Sequence, residues 1–282
     1  MIPAAFDYLA PTSVEDALAA LAEGGDDAKV LAGGQSLLPI LRMRLNAPEK
    51  VIDLGRIEAL RGIRDEGDHL VIGAMTPYSD VVESDLVREH AGLLVDAVAE
   101  VADPQIRHRG TVGGALVHAD PAGDVGAPVM ALDAELVIAG PGGERTVSSD
   151  DFFVDLFETA VGEGELLTSI RIPKHTGWGS CYEKFVRVSH QWSIVAVAAT
   201  VKVEGGVIQE ARVGLTNMGS TPLRARGVEE ALRGKAMDDV PAACAGAAEG
   251  TNPPSDLNGD SDYRRHLAAV LTRRAVLAAM GG

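Results

Sequence analysis

The chain has 282 residues, 46% of them hydrophobic and 4% aromatic, with a net charge of −16 at pH 7. That length holds two modest domains or one domain with an appendage, and the apolar content excludes wholesale disorder. So acidic a surface repels a polyanion, which excludes general nucleic-acid binding. Cys181 and Cys244 are the only cysteines. They are too few for an iron–sulfur cluster, which takes about four thiolates, or for a disulfide framework, and this favours a reducing compartment. The N-terminus has no basic region followed by an apolar one, and the longest apolar run, 194–201, is far short of a membrane span, so the expectation is a cytoplasmic protein.

Thr12-Ser13-Val14-Glu15 reads as a capping box, followed by apolar Val14, Ala17, Leu18 and Leu21 at helical spacing and stopped by Gly24 and Gly25. Residues 29–31 predict a strand running into Ala32-Gly33-Gly34-Gln35-Ser36, then a short helix over 36–41 and a strand over 50–54. In open α/β sheets, ligands bind at the carboxyl end of such strands. A hairpin is expected over 62–73, helices over 76–82 and 86–101, and a break at Asp103-Pro104. The stretch from Arg109 to Asp124 follows, read as a second glycine turn. After it come a helix over 125–132 and strands over 135–139 and 166–172. Beyond Pro173, strands over 182–186, 195–203 and 207–215 suggest an antiparallel sheet with Gly205-Gly206 in a hairpin turn. Helices are expected over 224–232, 241–248 and 263–280, the last basic on one side through Arg264, Arg265, Arg273 and Arg274.

Two glycine turns carry the chemistry. Tandem glycines let backbone N–H groups approach an anion without Cβ interference, and a following helix start adds partial positive charge. One such turn alone is an ordinary tight turn, and neither is a Walker loop or a G-x-G-x-x-G fingerprint. Two together, with Gln35 and Ser36 in the first and Thr111 before Gly113-Gly114 in the second, suit a diphosphate approached from opposite sides. His118, Asp120 and Asp124 would line the same cleft, the carboxylates accepting from sugar or ribityl hydroxyls. The rival reading makes these three a metal site, although no other zinc-type spacing accompanies them. No G-x-S-x-G elbow supports a hydrolase.

The motifs Ala32-Gly33-Gly34-Gln35-Ser36-Leu37-Leu38-Pro39, Thr111-Val112-Gly113-Gly114 and His118-Ala119-Asp120-Pro121-Ala122-Gly123-Asp124 are joined by Glu165 to Pro173, Tyr182 to Phe185 and Gly214 to Asn217. In this order they resemble the FAD-binding medium subunit of the molybdenum hydroxylases, the family of xanthine dehydrogenase and aerobic carbon monoxide dehydrogenase. The resemblance covers nearly the whole chain. It implies an α+β fold with a vanillyl-alcohol-oxidase-type (PCMH-like) FAD domain over 1–175, in lobes of about 1–55 and 56–175. A smaller C-terminal domain of three antiparallel strands and helices would occupy 176–282.

By motif position, Val30, Leu31, Ala32, Gly33, Gly34, Gln35, Ser36 and Leu37, together with Thr111, Val112, Gly113, Gly114 and Ala115, would hold the diphosphate. His118 and Asp120 would line the cleft, and Asp124 would bind ribityl or ribose hydroxyls. Leu167 and Lys184 would sit near the isoalloxazine ring, and Trp192 would cover one ring face. Gln35, Ala115 and Gln191 depart from the family's usual histidine, Asn or Ser, and aspartate. FAD would be bound noncovalently, with no metal and no catalytic residue on this chain. The partners implied are a large subunit with a molybdopterin cofactor and a small subunit with two 2Fe–2S clusters, assembled as a dimer of heterotrimers (a heterohexamer). Electrons would leave to a quinone, NAD or oxygen. A stand-alone flavin oxidoreductase and a non-catalytic nucleotide-binding module are the alternatives.

Overall fold

The computed structural model describes residues 2–281. Near the N-terminus, β1 (Asp7–Leu9), α1 (Val14–Gly24), β2 (Ala28–Leu31), α2 (Leu37–Met43) and β3 (Lys50–Asp53) build a parallel sheet of order β1-β3-β2. The cap of α1 is Ser13, whose hydroxyl accepts from the Asp16 amide at 3.1 Å, one residue later than the expected Thr12 box. Strand β1 escaped the sequence because three exposed residues carry no alternation. Ala17, Ile52, Leu54 and Ile57 close the small core of this unit.

The second unit starts with the expected hairpin, β4 (Ile63–Glu66) and β5 (His69–Gly73). Helices α3 (Tyr78–Glu83), α4 (Asp85–His90), α5 (Gly92–Ala99), α6 (Pro104–Arg107), α7 (Val112–His118) and α8 (Gly126–Ala131) follow. Then come β6 (Glu135–Gly140), β7 (Gly143–Ser148), α9 (Ser149–Phe152), β8 (Phe153–Asp155), β9 (Glu158–Thr159) and β10 (Leu166–Pro173). The large sheet has the order β4-β5-β10-β6-β7, with β10 antiparallel to both neighbours. The expected break at Ala102-Asp103-Pro104 separates α5 from α6, and Pro104 opens α6 because Asp103 caps it by accepting from the Ile106 amide at 2.9 Å.

A larger difference concerns Gly113-Gly114. These residues lie in the first turn of α7, not in an open turn, since the Thr111 side chain caps that helix. A Cβ at Gly113 would stand 2.5 Å from the Ala74 Cβ and 2.6 Å from its carbonyl oxygen. The glycine is there so that the helix can lie against β5's exit.

Past residue 178, β11 (Gly179–Phe185), β12 (Val195–Glu204) and β13 (Val207–Thr216) form the expected antiparallel sheet, extended by the two-residue β14 (Leu223–Arg224). Helices α10 (Arg226–Leu232), α11 (Val240–Ala243) and α12 (Ser261–Gly281) complete the chain. α11 is shorter than expected because the backbone tightens into three-residue bonds, Ala245 to Ala242, Ala247 to Cys244 and Glu249 to Gly246. Strand β12 is buried on both faces. Ala196 and Ala198 join Tyr182 in the core of the second unit, whereas Val195, Val197 and Val201 face Leu267, Leu271 and Val276 of α12. At Gly214 the sheet meets α8 so closely that a Cβ would lie 2.3 Å from the Ala127 carbonyl.

α12 is not uniformly basic on one side. Arg264 points inward and is fully buried, donating to the Ile194 carbonyl and, at 2.8 Å, to Asp256. Arg265 pairs with Asp262 at 3.0 Å, and Arg273 and Arg274 face solvent. No helix among the described residues is long and apolar enough to cross a membrane.

Candidate functional site

Between the N-terminal unit and the second unit lies a cleft of about 400 Å³. One wall begins where β2 ends. Gly34 takes a left-handed φ of 77°, and the chain turns into α2 at Ser36. The Gln35 side chain donates to the Gly33 carbonyl at 2.8 Å, so it braces its own loop. Among the described residues the amides of Gly33, Gly34, Gln35 and Ser36 have no acceptor. Four unpartnered N–H groups before a helix, on the cleft surface, suit an anion.

The opposite wall behaves differently. The Val112 and Gly113 amides donate to the carbonyls of Thr76 and Ala74 at 3.1 and 2.9 Å. The Gly114 amide goes to the Thr111 hydroxyl oxygen at 3.2 Å, and the Ala115 amide to the Thr111 carbonyl at the same distance. This wall therefore offers close approach and the Thr111 hydroxyl proton, while the first loop offers the free amides. The walls also touch: a Cβ on Gly33 would stand 2.2 Å from the Arg109 carbonyl oxygen and 2.8 Å from the Gly110 Cα.

The cleft surface gathers Val30, Ala32, Gly33, Gly34, Gln35, Ser36 and Leu37 with Thr111, Gly113, Gly114, Ala115, His118 and Leu167. Six other predicted residues lie elsewhere. Leu31 supports the loop from beneath, its side chain beside Gly34. Val112 is core. Asp120 accepts from the Ala122 amide at 2.9 Å and closes a turn. Trp192 is 63% exposed. Asp124 and Lys184 pair with each other at 2.7 Å, both almost fully buried.

Asp124 is the hub of that pair's surroundings. One of its oxygens accepts from the Tyr182 hydroxyl at 2.8 Å and the Ser193 hydroxyl at 3.0 Å, and the other takes the Lys184 ammonium. Lys184 also donates to the Glu100 carbonyl at 2.9 Å, and it borders a second, polar cavity of about 300 Å³ with Arg107, Ser189 and His190. Burial pushes the Asp124 carboxyl up, against the pull of Lys184 and the hydroxyls. Burial likewise raises the Tyr78 phenol, and the Asp124 charge adds to it, which links this cluster to the cleft that Tyr78 lines. His118, Asp120 and Asp124 do not converge, and among the described residues no three His, Cys, Asp or Glu side chains are placed to hold a metal.

Sequence reasoning missed Leu54, Met75, Tyr78 and Glu165 on the cleft wall. Tyr78 had a readable signal in Gly110, whose missing Cβ would stand 2.8 Å from the phenol ring, but only the fold names the ring as the neighbour. Glu165 is held by Arg145 at 2.6 Å and by the Gly162 amide at 2.7 Å, and the bond to Arg145 chiefly holds its carboxyl below the usual range.

Residues 4–175 match the FAD binding domain in molybdopterin dehydrogenase, and residues 180–279 match the CO dehydrogenase flavoprotein C-terminal domain. The carbon monoxide dehydrogenase medium chain of Hydrogenophaga pseudoflava is 42% identical, over 99% of this chain and 98% of its own length. The glyceraldehyde dehydrogenase medium chain of Sulfolobus acidocaldarius is 35% identical over 98% of each. A solved structure of the Hydrogenophaga pseudoflava carbon monoxide dehydrogenase, in a form lacking the Mo-pyranopterin moiety, superposes with a TM-score of 0.96 at 43% identity, covering 100% of this chain and 99% of that one. The protein therefore belongs to the FAD-binding medium subunits of the molybdenum hydroxylases, a family of oxidoreductases.

Proposed function

We propose that this chain is the electron-relay subunit of a molybdenum hydroxylase, carrying noncovalently bound FAD between the iron–sulfur clusters of a partner subunit and an external acceptor. The observation that carries the reading is the cleft's division of labour. Four free amides lie on one side of the cleft and a close-packed glycine wall on the other, and a Cβ at Gly114 would stand 2.7 Å from the Thr111 hydroxyl oxygen and 3.1 Å from the Ala32 Cβ. The residues present thus fit a diphosphate. The Gly33–Ser36 amides and the Thr111 hydroxyl would donate to its oxygens, and Leu167 would supply an apolar surface for a ring. When bound, FAD takes electrons singly and releases them in pairs. Lys184, held by Asp124 and the Glu100 carbonyl, supplies the counter-charge to the Asp124 carboxylate, whose charge acts on Tyr78 on the cleft wall.

Neither cysteine suits a cluster of this chain's own. Cys181 and Cys244 are far apart in sequence, and burial pushes both thiols up to about 11. The reading accordingly assigns the clusters and the molybdenum centre to separate large and small subunits, as the name "medium chain" of the relatives supports. Quinone, NAD or oxygen would serve as the acceptor.

The test is purification under native conditions, followed by flavin, iron and molybdenum analysis. A yellow complex is expected whose flavin bleaches only when the partner subunits are present with substrate. A colourless chain that takes up no FAD would sink the reading, and bleaching of the isolated chain by substrate would favour a stand-alone oxidoreductase.

A further inference from the structure

The short hairpin β8–β9 carries a contradiction that core packing does not resolve. Val154, Leu156 and Phe157 at its tip are 54–55% exposed. Phe157 also holds a φ of 57°, a left-handed conformation that disfavours any residue with a Cβ. An exposed aromatic in a strained backbone gains little for folding. The hairpin is nevertheless built to keep it there. The Asp155 carboxylate accepts from the Leu156 amide at 2.8 Å, and the Ala160 amide donates to the Phe152 carbonyl at 2.8 Å, anchoring the base.

What Phe157 touches is His118. The two ring centroids are 5.2 Å apart, tilted by 36°. His118 is the last residue of α7, and Ala119 after it is also left-handed, with a φ of 50°. Two strained non-glycine residues therefore bracket one imidazole, and that imidazole lies on the wall of the cleft beside Val117 and Val161. Unfavourable backbone retained around a single side chain at a cleft is a mark of function.

The geometry points to Phe157 as a positioning residue: it fixes the His118 ring on the cleft wall so that the imidazole packs against one of the two ring systems of a bound flavin dinucleotide. This rests on the FAD reading above. A planar ligand ring placed beside His118 extends the aromatic pair into a triplet.

The experiment uses the full chain stripped of flavin, with binding of FAD, FMN and ADP followed by fluorescence quenching or calorimetry. Phe157→Ala should weaken FAD by about 2- to 10-fold, the range for loss of one aromatic contact. It should weaken only one of FMN and ADP, which tells whether the isoalloxazine or the adenine ring lies there. Phe157→Trp should restore FAD affinity. Phe157→Gly separates this role from a structural one, because it relieves the left-handed strain. Its apo-protein should melt at or above the wild-type temperature while FAD binding is still weakened. Wild-type FAD affinity in Phe157→Ala, or affinity losses that follow losses in melting temperature across all three variants, would overturn the proposal. A wild-type chain that binds no FAD would instead overturn the reading beneath it.

Discussion

Gly33→Ala is the smallest change that should break the cleft. Gly33 needs no left-handed φ, so an alanine there is conformationally acceptable and the effect is purely one of space. The added Cβ would stand 2.2 Å from the Arg109 carbonyl oxygen, 2.8 Å from the Gly110 Cα and 2.9 Å from the Arg109 carbonyl carbon. All three are backbone atoms, so no side chain can rotate aside. An ordinary carbon–oxygen contact lies near ~3.3 Å, so the two loops must part by about 1 Å. Forced separation in a packed region costs about 1–3 kcal/mol of stability. It also carries the Gly33–Ser36 amides away from an anion bound against Thr111, and each charge-assisted hydrogen bond lost is worth about 1.5–3 kcal/mol, or roughly 10- to 150-fold in affinity. FAD retained per chain and the dissociation constant of the reconstituted chain measure this directly. Gly142→Ala, with nothing within 4 Å of its Cβ, is the matched control. Unchanged FAD content and melting temperature in Gly33→Ala would refute the argument that the two loops meet here.

Three further outcomes follow from the same geometry. Gly114→Val should abolish FAD retention while the secondary structure read by circular dichroism stays intact, because its branches grow into Thr111 and Ala32. Lys184→Met should cost about 3–5 kcal/mol near neutral pH, since it leaves the Asp124 carboxylate buried without its counter-charge. Asp124 already has its carboxyl raised by burial, and a raised folded-state carboxyl loses stability as pH climbs through the folded value and none below the unfolded one. The deficit of Lys184→Met, measured by denaturant titration, should therefore shrink as pH falls toward ~4; a deficit independent of pH would count against a charge effect. Cys181 and Cys244 should react slowly with thiol reagents at neutral pH until the chain unfolds, because burial raises both thiols to about 11.

The amino-acid sequence by itself determined the local elements and the ligand class. Strand periodicity, Gly205-Gly206 in its hairpin and the order of the motifs are properties of neighbouring residues, and they placed β2, β5, β10, β12 and β13 to within a few positions. It also pointed to Gly33-Gly34 and Gly113-Gly114, which the fold brings to one cleft, because glycine pairs are legible without knowing what faces them. The tertiary structure alone decided which backbone amides are free. Gly113-Gly114 looked like an anion turn, but Thr76 and Ala74, some forty residues upstream, take the amides of Val112 and Gly113 and leave the open donors to Gly33–Ser36. Arg264 read as a surface charge until Ile194 and Asp256 received it in the core. Asp124 and Lys184 read as separate ligand contacts, whereas folding brings residues sixty apart into one buried pair. Hydrogen-bond partners, steric contacts and counter-charges come from distant segments, so chain-local patterns show which groups can bind, and packing decides which of them remain available to do so.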